Sequence, residues 1–250
     1  MITFFADLDN TLIYSHRREI GDDKLPVEWL HDREQSYMTW KSHEFFKSAD
    51  SISVIPLTSR TMEQYGRLSG IADSFGWEYA IICNGGILLK NGEICREWLD
   101  ETYRMTSDAS EEFERARRLM EAKNSAIHVT DGIMAYASFD EPMSIEQMMK
   151  ESIDIGLVSV FSDNRKVYCV PKKINKGSAV RRFCEMGLVH SITTAAGDGE
   201  QDISMLENVD IPIVPEALYE KITNSGKRCA ESKAVFADSI CEILKEISQQ

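Results

Sequence analysis

The sequence contains no CxxC pair, and its six cysteines, at 83, 95, 169, 184, 229 and 241, are scattered. That spacing argues against a zinc site or a disulfide framework and leaves buried, reduced thiols as the simplest reading. The five histidines show no metal-ligand spacing either. No apolar run reaches the roughly 18 residues that a helical membrane span requires. The start, MITFFADLD, has neither a basic leader nor a long apolar segment, so it does not read as a signal peptide. These absences point to a cytoplasmic protein without a membrane partner. Positive charge is also scarce: 28 Lys and Arg stand against 41 Asp and Glu, a net charge of −13. A general nucleic-acid surface is therefore not expected, and an anionic ligand would need a local cation. Nothing in the residues specifies an oligomeric state.

What remains is a chain of 250 residues, 43% hydrophobic and 28% charged, of ordinary globular composition. It is long enough for one large domain or two small ones. Apolar, β-rich runs recur at Ile2–Ala6, Ile52–Leu57, Tyr79–Cys83, Ile192–Ala196 and Ile211–Val214. Short continuous runs of this kind read as strands buried on both faces of a parallel sheet. Helical patterns fall between or after them, at Met62–Phe75, Lys176–Met186, Gln201–Glu207 and Asp238–Ile247. The alternation predicts an α/β protein with a Rossmann-like open parallel sheet.

The middle reads differently. A hairpin, ILLKNGEIC, turns at Asn91-Gly92. A helix over Asp108–Lys123, strands at Ala126–Thr130 and Ile133–Ser138 around Asp131-Gly132, a helix over Ser144–Ser152, and strands at Leu157–Phe161 and Lys166–Val170 follow. The order α-β-β-α-β-β suits an antiparallel sheet with helices on one face. It predicts an inserted α+β domain at residues 86–171, dividing a core made of residues 1–85 and 172–250. Residues 14–42 form a third feature, two strands, KLPVEWL and QSYMTW, that resemble a hairpin flap carrying two tryptophans.

In open α/β sheets, ligands bind beyond the carboxyl ends of the strands. After the first strand come Asp7 and Asp9, then Thr11. Thr58-Ser59-Arg60 follow the second, and Asn84-Gly85-Gly86 the third. Lys176-Gly177 opens the helix after the insert, and Gly197-Asp198-Gly199-Glu200-Gln201-Asp202 follows the strand ending at Ala196. Carboxylates, a hydroxyl and a lysine are the groups that phosphoryl transfer calls for, because a dianionic phosphate repels a carboxylate unless cations neutralise the field. Mg²⁺ takes oxygen ligands, commonly one or two carboxylates with phosphate and water.

DLDNT at 7–11, LTSR at 57–60, NKG at 175–177 and GDGEQD at 197–202 resemble, in order, the four motifs of the haloacid dehalogenase (HAD) superfamily. The insert is similar to the α/β cap of its Cof-type and sucrose-phosphate-phosphatase-like members. The resemblance implies a Mg²⁺-dependent phosphomonoesterase acting on a small phosphorylated metabolite, a sugar or polyol phosphate, with the cap closing over the strand ends. Asp7 would be the nucleophile and Asp9 the general acid/base. Thr58, Ser59 and Lys176 would bind the phosphoryl group, with Asn84 and Arg60 as substrate contacts. Asp7, the Asp9 carbonyl and Asp198 would hold Mg²⁺, with Asp202 and Gln201 behind them. The chain departs from the pattern twice: Gln201 stands where Asn is usual, and Asn10 where Gly is commoner. Asn10 also occurs in sucrose-phosphate-type members and so hints at sugar phosphates. The rival readings are a sugar-phosphate mutase on the same core and a catalytically weak binding protein that uses the cap and the hairpin.

Overall fold

The computed structural model describes the chain apart from Ser125, Asp131, Ser232 and Gln250, so Asp131 of the expected Asp131-Gly132 turn lies outside the described residues. Two compact units emerge, Met1–Ile94 with Lys176–Gln250, and Cys95–Asn175. The first begins with β1 (Ile2–Ala6), β2 (Tyr14–Ser15), β3 (Lys24–Leu30), β4 (Arg33–Thr39), α1 (Trp40–Lys47), β5 (Ile52–Pro56), α2 (Met62–Gly66), α3 (Ser69–Ser74), β6 (Tyr79–Ile82), β7 (Ile87–Lys90) and β8 (Glu93–Ile94). The second holds α4 (Arg96–Thr106), α5 (Ser110–Lys123), β9 (His128–Thr130), β10 (Met134–Ser138), α6 (Pro142–Ser152), β11 (Val158–Asp163) and β12 (Lys166–Pro171). The chain then returns through α7 (Lys176–Glu185), β13 (Ile192–Ala196), α8 (Ile203–Leu206), β14 (Ile211–Val214), α9 (Glu216–Tyr219), β15 (Arg228–Cys229) and α10 (Phe236–Ser248).

The core sheet is parallel, in the order β15-β14-β13-β1-β5. β1 is buried along its whole length because it is the strand between β13 and β5 and is covered on both faces. Consecutive residues of a strand point to opposite faces. Phe4 accordingly stacks on Phe46 of α1 with ring centroids 6.0 Å apart, and Phe5 meets Phe183 of α7 edge-on at 5.7 Å. Each such fully buried ring contributes about 1.5–3 kcal/mol through the apolar surface it removes from water. Ala6 is in register with both Ala196 and Pro56, so three strands end at one level. Asp7 and Leu57 continue the ladder by donating their N–H groups to Ala196 and Ala6 at 2.9 and 2.8 Å. The residues that follow these strands thus emerge along a common edge.

Several elements differ from expectation. The β7–β8 hairpin pairs with β6 in a three-stranded sheet, which attaches beside β5 through the Leu57–Ile81 bridge. The boundary between the units therefore falls at Ile94, not at residue 85, because long-range pairing with β6 holds the hairpin in the first unit. The helix expected over Met62–Phe75 is two short ones. Thr61 starts the first with a reciprocal cap to Gln64, and the low helix propensity of Gly66, Ser69 and Gly70 lets the chain turn between them. α4 was not foreseen. Its buried face is Trp98, Leu99, Thr102 and Thr106; the two threonines read as polar, but each returns its hydroxyl to the carbonyl four residues back, at 2.9 and 2.8 Å.

In the second unit an antiparallel sheet, β11-β12-β10-β9, carries α5 and α6 on one face. Phe113, Met120 and Met149 of the helices pack on Ala135, Val160 and Cys169 of the strands. The fold is an open parallel α/β core with an inserted α+β segment. Among the described residues no helix is long and apolar enough to cross a membrane.

Candidate active site

The edge where β1, β5 and β13 end gathers most of the residues that the motifs single out. Asp7 is 7% exposed, and its Oδ1 accepts from the Nζ of Lys176 at 2.6 Å. The same ammonium donates to Oδ1 of Asp202 at 2.5 Å. Asp202 folds back so that its Oδ2 accepts from the Gly199 amide at 2.9 Å. Gly197 allows this: a Cβ there would stand 2.3 Å from the Asp202 Cγ. Thr11 places its hydroxyl 3.4 Å from both Asp7 Oδ2 and Asp198 Oδ1. Lys176 reaches the cluster because α7 starts hard against α8, where the Gly177 amide donates to Ser204 Oγ at 3.0 Å.

Asp7, Asp198 and Asp202 each bring a carboxylate oxygen within 4.8 Å of the others. Three carboxylates against one ammonium leave two negative charges in excess at a largely buried place. Burial pushes the Asp7 carboxyl well above the ordinary value of 3.8; Lys176 pulls it down, and Asp202 and Asp198 push it up again. Burial opposes the charge of Lys176, but Asp202 and Asp7 outweigh it and hold the ammonium protonated. An all-oxygen donor set with excess negative charge is what a hard divalent cation requires. Two ligands of one Mg²⁺ lie at most about 4.2 Å apart, twice the Mg–O bond of about 2.1 Å. The cluster is close to that scale. Asp202 has one oxygen on Lys176 and the other on the Gly199 amide.

Asp9 has a different partner. Its carboxylate receives both ends of the Arg60 fork, Nε to Oδ2 at 2.9 Å and Nη2 to Oδ1 at 2.8 Å. Asn10 adopts φ 61°, and the amides of Thr11, Leu12 and Ile13 all turn to the Leu8 carbonyl at 3.2, 3.0 and 2.9 Å. Asparagine tolerates this left-handed conformation where most residues do not, so position 10 has a backbone role that Gly also fills. Its side chain accepts from Arg18 Nε at 3.2 Å.

Thr58 is buried, and its hydroxyl accepts from the Arg60 amide at 3.1 Å. Ser59 is half-buried beside it. Asn84 is 5% exposed, in a left-handed turn with Cys83, and its backbone N–H donates to the Thr58 carbonyl at 2.9 Å. Gln201 is half-buried on the short turn Glu200–Asp202.

Arg60, expected among the substrate contacts, is 7% exposed and spends its guanidinium on protein partners. Beyond Asp9, Nη2 donates to Glu28 Oε2 at 3.0 Å and Nη1 to the Gln64 carbonyl at 3.2 Å. Burial works against its charge, yet Asp9 and Glu28 more than offset this and raise its pKa. Glu28, on β3, was missed by sequence reasoning. It is 1% exposed and also accepts from Ser36 Oγ at 2.7 Å and Arg67 Nε at 2.8 Å. Burial favours its neutral form, but the Arg60, Ser36 and Arg67 contacts prevail and lower its pKa. The one sequence signal was a lone acid in an apolar strand. Of the two tryptophans expected on the hairpin, Trp29 lies on β3 and Trp40 opens α1, after the Thr39 cap; they are 51% and 46% exposed.

No curated sequence matches the chain significantly. Among solved structures, the sucrose-phosphatase of Synechocystis sp. PCC6803, crystallised with sucrose and phosphate, superposes with a TM-score of 0.64 at 18% identity, covering 99% of this chain and 97% of that one. A HAD subclass IIB sugar phosphatase gives 0.64 at 14%, covering 99% of both chains. A phosphatase of the superfamily from Bacteroides thetaiotaomicron gives 0.57 at 15%, covering 98% and 94%. At these identities the likeness is one of fold. The sequence model of the haloacid dehalogenase-like hydrolases, however, matches residues 61–224, and the chain belongs to that family.

Proposed function

We propose that the protein is a Mg²⁺-dependent phosphomonoesterase that hydrolyses a small phosphorylated sugar or polyol through an aspartyl-phosphate. The observation that carries this reading is Lys176, buried and spanning Asp7 and Asp202 beside Asp198. In the first step a carboxylate oxygen of Asp7 attacks phosphorus and the ester P–O bond breaks. Asp9 gives its proton to the departing oxygen. Water then adds to phosphorus, passes a proton to Asp9, and releases phosphate and the Asp7 carboxylate. Lys176 offsets the negative charge brought by the phosphoryl group, and the Thr58 and Ser59 hydroxyls donate to its oxygens. Asn84, at the adjacent strand end, serves as the substrate contact. Asp7, Asp198 and the Asp9 carbonyl would hold Mg²⁺, with Asp202 and Gln201 behind them. When bound, the ion supplies charge neutralisation and polarisation of the phosphoryl group.

The sugar-phosphate class draws support from the named activities of the structurally similar proteins, a sucrose-phosphatase and a sugar phosphatase. Phosphate release from a panel of sugar and polyol phosphates, with and without Mg²⁺, tests the reading. Activity is expected for at least one sugar phosphate, lost without the metal and lost in Asp7→Asn. Turnover by Asp7→Asn at the wild-type rate would remove Asp7 as nucleophile. Isomerised sugar phosphate in place of free phosphate would make the enzyme a mutase.

A further inference from the structure

We propose that Glu28, carried into the first unit by the β3–β4 hairpin, is a positioning residue that acts through Arg60 to fix the carboxylate of Asp9. The inference rests on the phosphatase reading, in which Asp9 handles the proton, and it gives the hairpin a purpose beyond a flap.

The hairpin is irregular where it matters. Its pairing runs regularly from Lys24–Thr39 to Pro26–Tyr37, shifts at Glu28–Ser36, and shifts back at Trp29–Glu34. Strand residues normally alternate between faces, so a buried Val27 would leave Glu28 outside. The shifts break the alternation, and both residues are buried, at 5% and 1% exposure. A carboxylate in such a place is costly unless its lone pairs are filled. Three donors fill them: Ser36 Oγ and Arg60 Nη2 on Oε2, and Arg67 Nε on Oε1.

The consequence falls on Arg60. All three of its side-chain nitrogens are engaged, Nε and Nη2 by Asp9, Nη2 also by Glu28, and Nη1 by the Gln64 carbonyl. A planar guanidinium held on several edges cannot turn, and a carboxylate gripped by its fork inherits that plane. Without Glu28 the guanidinium keeps Asp9 and the Gln64 carbonyl but loses its second anionic anchor, so less opposes its rotation.

A displaced proton donor matters in proportion to the need for a proton. A sugar alkoxide cannot leave without one, whereas nitrophenolate departs as a stable anion. Single-turnover rates isolate this first transfer. In Glu28→Gln, which keeps the volume and a hydrogen-bonding end, the single-turnover rate for the best sugar phosphate of the panel is expected to fall about 10-fold or more, against less than about 3-fold for p-nitrophenyl phosphate, as loss of general acid assistance predicts. KM is expected to change little for either. Equal losses for both substrates would mark a structural role only and overturn the proposal, as would no loss in either. The second readout is independent of activity. Hydrogen exchange of the Arg60 Nε–H, followed by NMR and assigned with Arg60→Lys, should be slow in the wild type and at least about 10-fold faster in Glu28→Gln, as expected for a released ion-pair clamp. Equal exchange in the two proteins would overturn the clamp even if the enzyme is a phosphatase. Faster exchange in a protein without phosphatase activity would leave the clamp standing and remove the catalytic reading.

Discussion

Gly177 offers a direct test of how the buried lysine is placed. A Cβ at this position would stand 2.3 Å from the Ser204 carbonyl oxygen, 2.7 Å from its carbon and 2.9 Å from its Cβ. The obstacle is largely backbone and cannot rotate away. Restoring an ordinary carbon–oxygen contact requires about 1 Å of separation between the start of α7 and α8. Lys176 is the preceding residue, and its contacts to Asp7 and Asp202 are only 2.6 and 2.5 Å long. A shift of about 1 Å takes both beyond hydrogen-bonding range. Gly177→Ala is therefore expected to destabilise the protein by about 1–3 kcal/mol, as overpacking does. It should also lower kcat for phosphate release by about 10²-fold, the cost of a comparable misplacement of a reacting group. Gly70→Ala is the control. It lies on α3 with nothing within 4 Å of the added Cβ, so it should be neutral or stabilising by about 0.4–1 kcal/mol. Urea unfolding and steady-state kinetics on both variants decide the matter. A Gly177→Ala enzyme with wild-type stability and rate, or a Gly70→Ala enzyme equally damaged, would refute the close-approach argument.

Lys176→Met should cost about 3–5 kcal/mol in metal-free buffer, because it leaves the buried carboxylates of Asp7 and Asp202 without their shared cation; denaturant midpoints measure this. Mg²⁺ at 100 times its dissociation constant should stabilise the wild type by about 2.7 kcal/mol, seen as a rise in thermal midpoint, and Asp198→Asn should shrink that rise toward zero. The pH dependence of Glu28 has a definite sign. Its pKa in the folded protein lies below the ordinary 4.5, so its contribution to stability is present above that value and is lost as pH falls through the folded pKa. Urea midpoints should therefore show Glu28→Gln less stable than wild type at neutral pH, with the gap closing below pH 4.5. A gap independent of pH would mean that its charge plays no part.

The edge where the motif residues gather was legible because those residues follow strand ends, and strands buried on both faces announce themselves as apolar runs. Once Ile2–Ala6, Ile52–Pro56 and Ile192–Ala196 are neighbours in register, Asp7, Thr58 and Asp198 must emerge together. Other features depend on pairings that no local pattern encodes. The β7–β8 hairpin has a clear turn at Asn91-Gly92, but its allegiance to β6 is a long-range choice. α4 hid behind threonines that satisfy themselves on their own helix. Arg60 was recognisable as a cation near the site, yet the residue type alone does not say whether its fork meets substrate or protein.

Glu28 is the more instructive failure, because a correct rule gives the opposite answer there. In KLPVEWL, alternation would put Val27 in the core and send Glu28 to solvent. Only the paired register shifts around Glu28 turn the carboxylate inward. Such a shift gives up ladder hydrogen bonds and buries a charge, so it persists only if something in the interior requires that charge. The interior supplies two arginines, one of which grips Asp9. An apolar residue at 28 would leave Arg60 and Arg67 buried or half-buried with one fewer anion between them. The irregular pairing of the hairpin and the orientation of Asp9 are on this view one feature. A local rule fails at the point where the long-range charge network sets the register.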